Sequence, residues 1–250
     1  MWVSPGPGKK VAAQVIFGHP ASGNITTFLH EARELALVGV QSFLVDFGFD
    51  KNNADPGNLK NPDREIEFRK KCISLIERAT LALSPDLPVT YVGKNFGAFI
   101  GGIAASQENR ISRFVLIAGL PDLTDFYVSS DHTVALNARG RISDEQLEYY
   151  RERTHFWNPA QRMPRSKRTK KTDIFFQFGS KDDWIPEETA RRYIQSAIPS
   201  AQLKKQSKFY PDGHDMNHYQ AKLDRKKFIL QDASFSDTLK AREGREANFL

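Results

Sequence analysis

Val89-Thr90-Tyr91-Val92-Gly93-Lys94-Asn95-Phe96-Gly97-Ala98-Phe99-Ile100-Gly101-Gly102 is the stretch that decides the fold. Pro88 opens it, and Val89–Val92 is a short run of β-branched and aromatic residues that reads as a buried strand. Gly93 and Gly97 stand two residues before and two after Asn95. A sharp strand-to-helix turn needs glycine at both places, because a side chain at either would clash with the backbone doubling back. Gly97–Ala105 then forms a helix of mostly small residues, in which Ala98, Gly101 and Gly102 let the backbone lie close to a sheet.

Outward from this unit, short apolar runs alternate with helical patterns, as in a parallel sheet with crossover helices. Val11–Phe17 is a strand ended by Gly18-His19-Pro20. A helix follows, with Phe28, Ala32, Leu35 and Ala36 on one face, and Gly39 stops it before a strand at Ser42–Phe47. Lys51–Pro62 is a polar loop. The helix from about Asp63 to Leu83 places Cys72, Ile76, Ala79 and Leu83 on one side, so Cys72 reads as core packing. Phe114–Ala118 and Ile174–Phe178 are two further buried strands. The expected fold is α/β: a mostly parallel central sheet with helices on both faces, in one domain over residues 1–250.

Residues 122–171 break the alternation and read as a small cap inserted over the sheet. Ser143-Asp144-Glu145-Gln146 has the form of a capping box and predicts a helix start. The insertion ends in Arg162, Arg165, Lys167, Arg168, Lys170 and Lys171, which is either a solvated loop or a surface for an anion or partner. Asp237–Leu250 mixes both charges with few apolar residues and reads as a frayed tail.

Composition narrows the classes. A chain of 250 residues with 40% hydrophobic and 26% charged residues can bury a sizeable core without staples. One cysteine rules out an intrachain disulfide and a multi-cysteine zinc site. The net charge of +6, from 36 basic and 30 acidic residues, is too modest for a dedicated nucleic-acid binder. The first ten residues hold no signal-peptide core and no run approaches a membrane span, so a cytoplasmic chain without nucleic-acid or membrane partners is expected. No cofactor is expected.

In an open parallel sheet, ligands bind at the carboxyl ends of the strands. Four such ends carry unusual residues: Gly18-His19-Pro20-Ala21-Ser22-Gly23, Gly93-Lys94-Asn95-Phe96-Gly97, Gly179-Ser180-Lys181-Asp182-Asp183-Trp184-Ile185-Pro186, and Gly213-His214. In kind and order these resemble the α/β-hydrolase superfamily, in style its small dienelactone-hydrolase-like members. The resemblance runs from about Val11 to His218 and lacks the family's usual first hairpin. It implies that Asp182, in its G-x-x-D-x-x-[VI]-P pattern, is the acid and His214 the histidine; the adjacent Asp183 is the competing acid. It also implies that the Phe96 N–H, at a helix N-terminus, and an N–H from the first loop, Ala21, form an oxyanion hole. Pro20 has no N–H to give.

The departure is Asn95, at the position of the family's nucleophile. Its amide nitrogen is delocalised into the carbonyl, so it cannot be activated by histidine or form an acyl-enzyme. Ser22 sits in the first loop rather than at the turn and is a poor substitute. Four readings follow. The chain is an enzyme on a small ester or carbonyl substrate, with His214 as general base and Asn95 holding substrate or water. Or it is a pseudoenzyme whose pocket binds a ligand or partner. Or Asn95 is an engineered replacement that silences a hydrolase, or it stands in for an aspartate nucleophile. The expected ligand is a small molecule, with a lean towards anions from the basic stretch. His214-Asp215-Met216-Asn217-His218 also mimics a helical metal motif, which needs both histidines on one helix face. His19 reads as structural, and His30, His132 and His155 show no partner in sequence.

Overall fold

The computed structural model describes residues 1–48, 59–197 and 207–231. The strands are β1 (Trp2–Val3), β2 (Ala13–Gly18), β3 (Val40–Val45), β4 (Val89–Lys94), β5 (Arg113–Ile117), β6 (Asp173–Gly179) and β7 (Ser207–Tyr210). They form one sheet in the order β1-β3-β2-β4-β5-β6-β7. β1 pairs antiparallel with β3, and every other pairing is parallel.

The strand interiors are mostly apolar because helices cover both faces. Along β5, Phe114 and Leu116 point to one core while Val115 and Ile117 point to the other; β6 divides Ile174, Phe176 and Phe178 from Phe175 in the same way. The first face is covered by α2 (Pro62–Leu81), α3 (Phe96–Ala105) and α8 (Glu187–Ala197). The second is covered by α1 (Leu29–Leu37) and α9 (Tyr219–Ile229). Cys72 lies inside the first core, where burial pushes its thiol up to about 12 and leaves it unreactive.

On the second face, α1 and α9 are joined by a buried ion pair. Arg225 donates from Nε to Glu31 Oε1 and from a terminal nitrogen to Oε2, both at 2.7 Å. Gln177, in the middle of β6, completes the network by donating to the Tyr210 hydroxyl (3.1 Å) and the Ala221 carbonyl (2.8 Å).

Between β5 and β6 run α4 (Leu123–Ser129), α5 (Thr133–Arg139), α6 (Asp144–Thr154) and the single turn α7 (Pro159–Arg162). The Ser143–Gln146 capping box opens α6. The buried Asn158 side chain organises this region: it donates to Thr124 Oγ1 and to the carbonyls of Thr154 and His155, and accepts from the Leu123 N–H. Arg69 of α2, wholly buried, pairs with Glu65 and donates to the Trp157 carbonyl at 2.8 Å, tying α2 to the insertion.

Several sequence expectations need correction. β3 begins two residues earlier than the apolar run suggested and ends at Val45, because its ladder with β2 starts at Ala13 opposite Val40. β1, only two residues long, carries no period to detect. The basic run at 162–171 is not simply solvated: Arg168 donates to the carbonyls of Glu108 and Ile111 at 3.0 and 2.7 Å, pinning the loop after α3. Arg162 and Arg165 instead stack over Trp157 and Phe156 and line an open cleft of about 510 Å³. The polar loop at 51–62 lies largely, and the tail at 237–250 wholly, outside the described residues.

Candidate active site

Asn95 sits where β4 turns into α3, with φ 52° and ψ −115°. This positive-φ conformation, with ψ far from the left-handed helical region, is one that residues other than glycine rarely adopt. The glycine pair makes it possible. A Cβ on Gly93 would stand 2.4 Å from the Gly97 carbonyl oxygen, and one on Gly97 would stand 2.1 Å from the Gly18 carbonyl oxygen. Buried Tyr91 locks the turn from beneath, donating its hydroxyl to the Gly97 carbonyl at 2.7 Å. The chain thus presses the start of α3 against the end of β2, bringing the first glycine loop beside Asn95.

The acid and the histidine arrive from the next strand ends. Asp182 follows β6, and its side chain is fully buried. Its Oδ1 accepts the N–H groups of Trp184 and Ile185 at 2.9 and 3.0 Å, which fixes the carboxylate. Asp183 is exposed, so of the two adjacent acids only Asp182 faces the histidine. His214 Nδ1 lies 2.9 Å from Asp182 Oδ2 and 3.1 Å from Oδ1. Its loop is anchored by Asp212, which accepts from the Gly213 and His218 N–H groups. That second acid gave no signal in the sequence.

The hydrogen bonds at Asn95 orient its amide and select the His214 tautomer. Backbone N–H groups only donate, so the atom that receives Phe96 N–H at 2.7 Å and Ala21 N–H at 3.5 Å is the amide oxygen. The NH2 group therefore faces His214, with Nδ2 and Nε2 2.5 Å apart. Nε2 accepts there, and Nδ1 holds the ring proton that it donates to Asp182. The two donors that sequence reading assigned to an oxyanion hole do converge, but on the chain's own Asn95 side chain.

Trp184 forms the wall beside the histidine. Its ring stacks on His214 with centroids 5.2 Å apart, and on its other contacts meets Phe126 of α4 at 5.5 Å and His132 at 4.3 Å. The insertion thereby reaches the acid loop through aromatic contacts, and His132 gains a partner that sequence spacing could not reveal. Beneath the site, burial pulls the Lys94 ammonium below its ordinary value, although Asp215, 4.0 Å away, opposes this.

The remaining sequence candidates fall elsewhere. His218 caps α9, its Nδ1 accepting the Gln220 N–H, and His214 lies in the preceding turn; the two histidines share no helix face. Among the described residues no group of three or more His, Cys, Asp or Glu is placed to hold a metal, and no helix is long and apolar enough to cross a membrane. Ser22 is exposed. His19 is buried and bonded to backbone, with Nδ1 2.8 Å from the Pro20 carbonyl and Nε2 accepting the Phe47 N–H.

No family model matches the chain, and no curated protein does. The solved structures supply the comparison. An acetyl xylan esterase from Thermoanaerobacterium superposes with a TM-score of 0.62 at 16% identity, over 93% of this chain and 78% of that one. Est1E from Butyrivibrio proteoclasticus gives 0.56 at 12% identity, over 92% of each chain. A Klebsiella pneumoniae protein described as a dienelactone hydrolase gives 0.58 at 13% identity, covering 92% of this chain and 90% of that one. The chain has the α/β-hydrolase fold.

Proposed function

We propose that this chain is an esterase-type hydrolase fold in which acyl transfer is silenced, and that its pocket binds a small ester- or carbonyl-bearing ligand. One observation carries the reading: the Asn95 amide satisfies the Phe96 N–H and the His214 Nε2 at once. An acyl substrate needs its carbonyl oxygen where Asn95 Oδ1 sits, and a nucleophile needs Nε2 as its base. Asn95 takes both and offers no nucleophile in exchange. The esterases that share the fold support hydrolase ancestry. The basic stretch gives the ligand little anionic bias, since Arg168 is spent on backbone carbonyls and the Arg162–Arg165 cleft has no lining residue from the Asn95–His214–Asp182 group.

A second reading has its own support. His214 is held by Asp182 in the tautomer a general base requires, so a ligand that displaces the Asn95 NH2 could lose a proton to Nε2 without any covalent intermediate. Asn95 would then hold the ligand or a water.

The test is hydrolysis of a panel of short acyl esters by freshly purified native chain, Asn95→Ser, and Asn95→Ser with His214→Ala. The expected result is an inert native chain, and turnover with an acyl-enzyme burst in the serine variant that the second substitution abolishes. Ester hydrolysis by the native chain would overturn the silencing argument. An inert serine variant would show that the surrounding groups are not built for acyl transfer, and the ancestral reading of the site would fall. Turnover of a carbonyl compound by the native chain, lost in His214→Ala, would select the second reading.

A further inference from the structure

Asn95 does more than block the site, because its own side chain is arranged as a substrate of it. The amide oxygen lies against the Phe96 N–H at 2.7 Å, with the Ala21 N–H at 3.5 Å, and the amide nitrogen lies 2.5 Å from His214 Nε2. A scissile amide in a hydrolase is held the same way: oxygen on the oxyanion donors, leaving nitrogen on the histidine. Only the attacking group is missing, and Asn95 is partly exposed, so a water that enters beside its amide would supply it.

We infer that the folded chain hydrolyses its own Asn95 side chain, converting it to aspartate and releasing ammonia. The Asn95 NH2 first swings off His214 Nε2, the unprotonated ring nitrogen; a water oxygen then bonds to Cγ and gives its proton to that nitrogen. The carbonyl oxygen becomes an oxyanion held by the two N–H groups. The Cγ–Nδ2 bond then breaks, with Nδ2 taking the proton from Nε2. The new carboxylic acid passes its proton to ammonia, so Asn95 and water become an aspartate side chain and ammonium, with no change of oxidation state. The product carboxylate keeps both backbone donors and faces His214 Nε2.

The usual route of asparagine loss, attack on Cγ by the next backbone nitrogen, is opposed by the same geometry. Phe96 N–H points its hydrogen at Oδ1, and the nitrogen's π lone pair stands across that direction. The reaction in the fold therefore gives α-aspartate, whereas ring closure gives a mixture with isoaspartate.

The inference shares its geometry with the proposed function but is read by mass rather than turnover, so either can fail alone. Native full-length chain is incubated at neutral pH and sampled over time by intact mass and by peptide mapping that separates aspartate from isoaspartate. The expected result is the mass gain of NH2 replaced by OH, located at Asn95, as α-aspartate, and faster than at the exposed Asn109. Loss of the general acid–base in His214→Gln slows it by about 100-fold or more. Asp182→Asn, which leaves His214 in place but unoriented, slows it as well, and both variants are checked for native circular dichroism. An unchanged Asn95 at the end of the series, an isoaspartate mixture there, or equal rates in the native and variant chains would each overturn the inference.

Discussion

Replacing Gly97 by alanine tests the close approach on which the whole site depends. The added Cβ would lie 2.1 Å from the Gly18 carbonyl oxygen, 2.5 Å from the Gly18 carbonyl carbon and 2.9 Å from the His19 carbonyl oxygen. All three are backbone atoms at the end of β2, so no side chain can swing away. Restoring ordinary contact near 3.5 Å requires the start of α3 and the end of β2 to part by about 1.4 Å. Overpacking of this kind costs about 3 kcal/mol when nothing flexible absorbs it. In a chain of this size that lowers Tm by about 6–12 °C. The damage is also directional. Phe96 and Ala21 lie on opposite sides of the gap being forced open, so their N–H groups cease to converge on one acceptor. In the Asn95→Ser background the same substitution should therefore cost about 100-fold in ester turnover, the typical effect of a 1 Å misplacement. Thermal unfolding followed by far-ultraviolet circular dichroism gives the first number and ester hydrolysis the second. Gly6→Ala is the control, since a Cβ there meets nothing within 4 Å. If Gly97→Ala melts with Gly6→Ala, the two backbones are not pressed together and the account of the turn is wrong.

Two further outcomes follow from the second face of the sheet. Glu31→Gln leaves the buried Arg225 guanidinium without its counter-charge and should destabilise the chain by about 3–5 kcal/mol in urea unfolding; Glu31→Gln with Arg225→Met should recover much of that loss. Burial alone would raise the carboxyl of Asp224, but hydrogen bonds from Lys208, Gln220 and Tyr210 and the Lys208 charge outweigh it and hold Asp224 below its ordinary 3.8. A carboxyl depressed in the folded state contributes its full stability above the unfolded value and loses it as pH falls through the lower, folded one. Stability measured below about pH 4 should therefore fall less steeply in Asp224→Asn than in the native chain.

The β4–turn–α3 unit was legible because its glycines answer a steric demand that few other arrangements make, and the order of loops around it followed. Apolar runs located the buried strands but not their ends: β3 slid by two residues because the ladder with β2, rather than the extent of hydrophobicity, sets where pairing starts. Asp182 and His214, whose side chains meet, stood out in the sequence through their neighbours, Ile185 and Pro186 on one side and Gly213 on the other. What Asn95 does there was not visible. Its residue type showed what it lacks, whereas the convergence of the Phe96 and Ala21 N–H groups on its Oδ1 depends on a side-chain rotamer that no pattern encodes. His132 on Trp184 and Arg168 on the loop after α3 were hidden for a related reason, since each joins segments about 50 or more residues apart through contacts with no period.

The ion pair between Glu31 and Arg225 spans 194 positions of the chain, and this separation bears on how the protein is made. Glu31 is translated 194 residues ahead of its guanidinium partner, on a helix whose apolar side already seeks the sheet. Until then the carboxylate must stay hydrated, which keeps the α1 side of the sheet from closing completely. The opposite face needs no such wait, because α2, α3 and α8 all precede residue 225 and Arg69 finds Glu65 within its own helix. Nascent chains halted before residue 225 should thus hold one finished face and one open one, with α9 acting as the closing step.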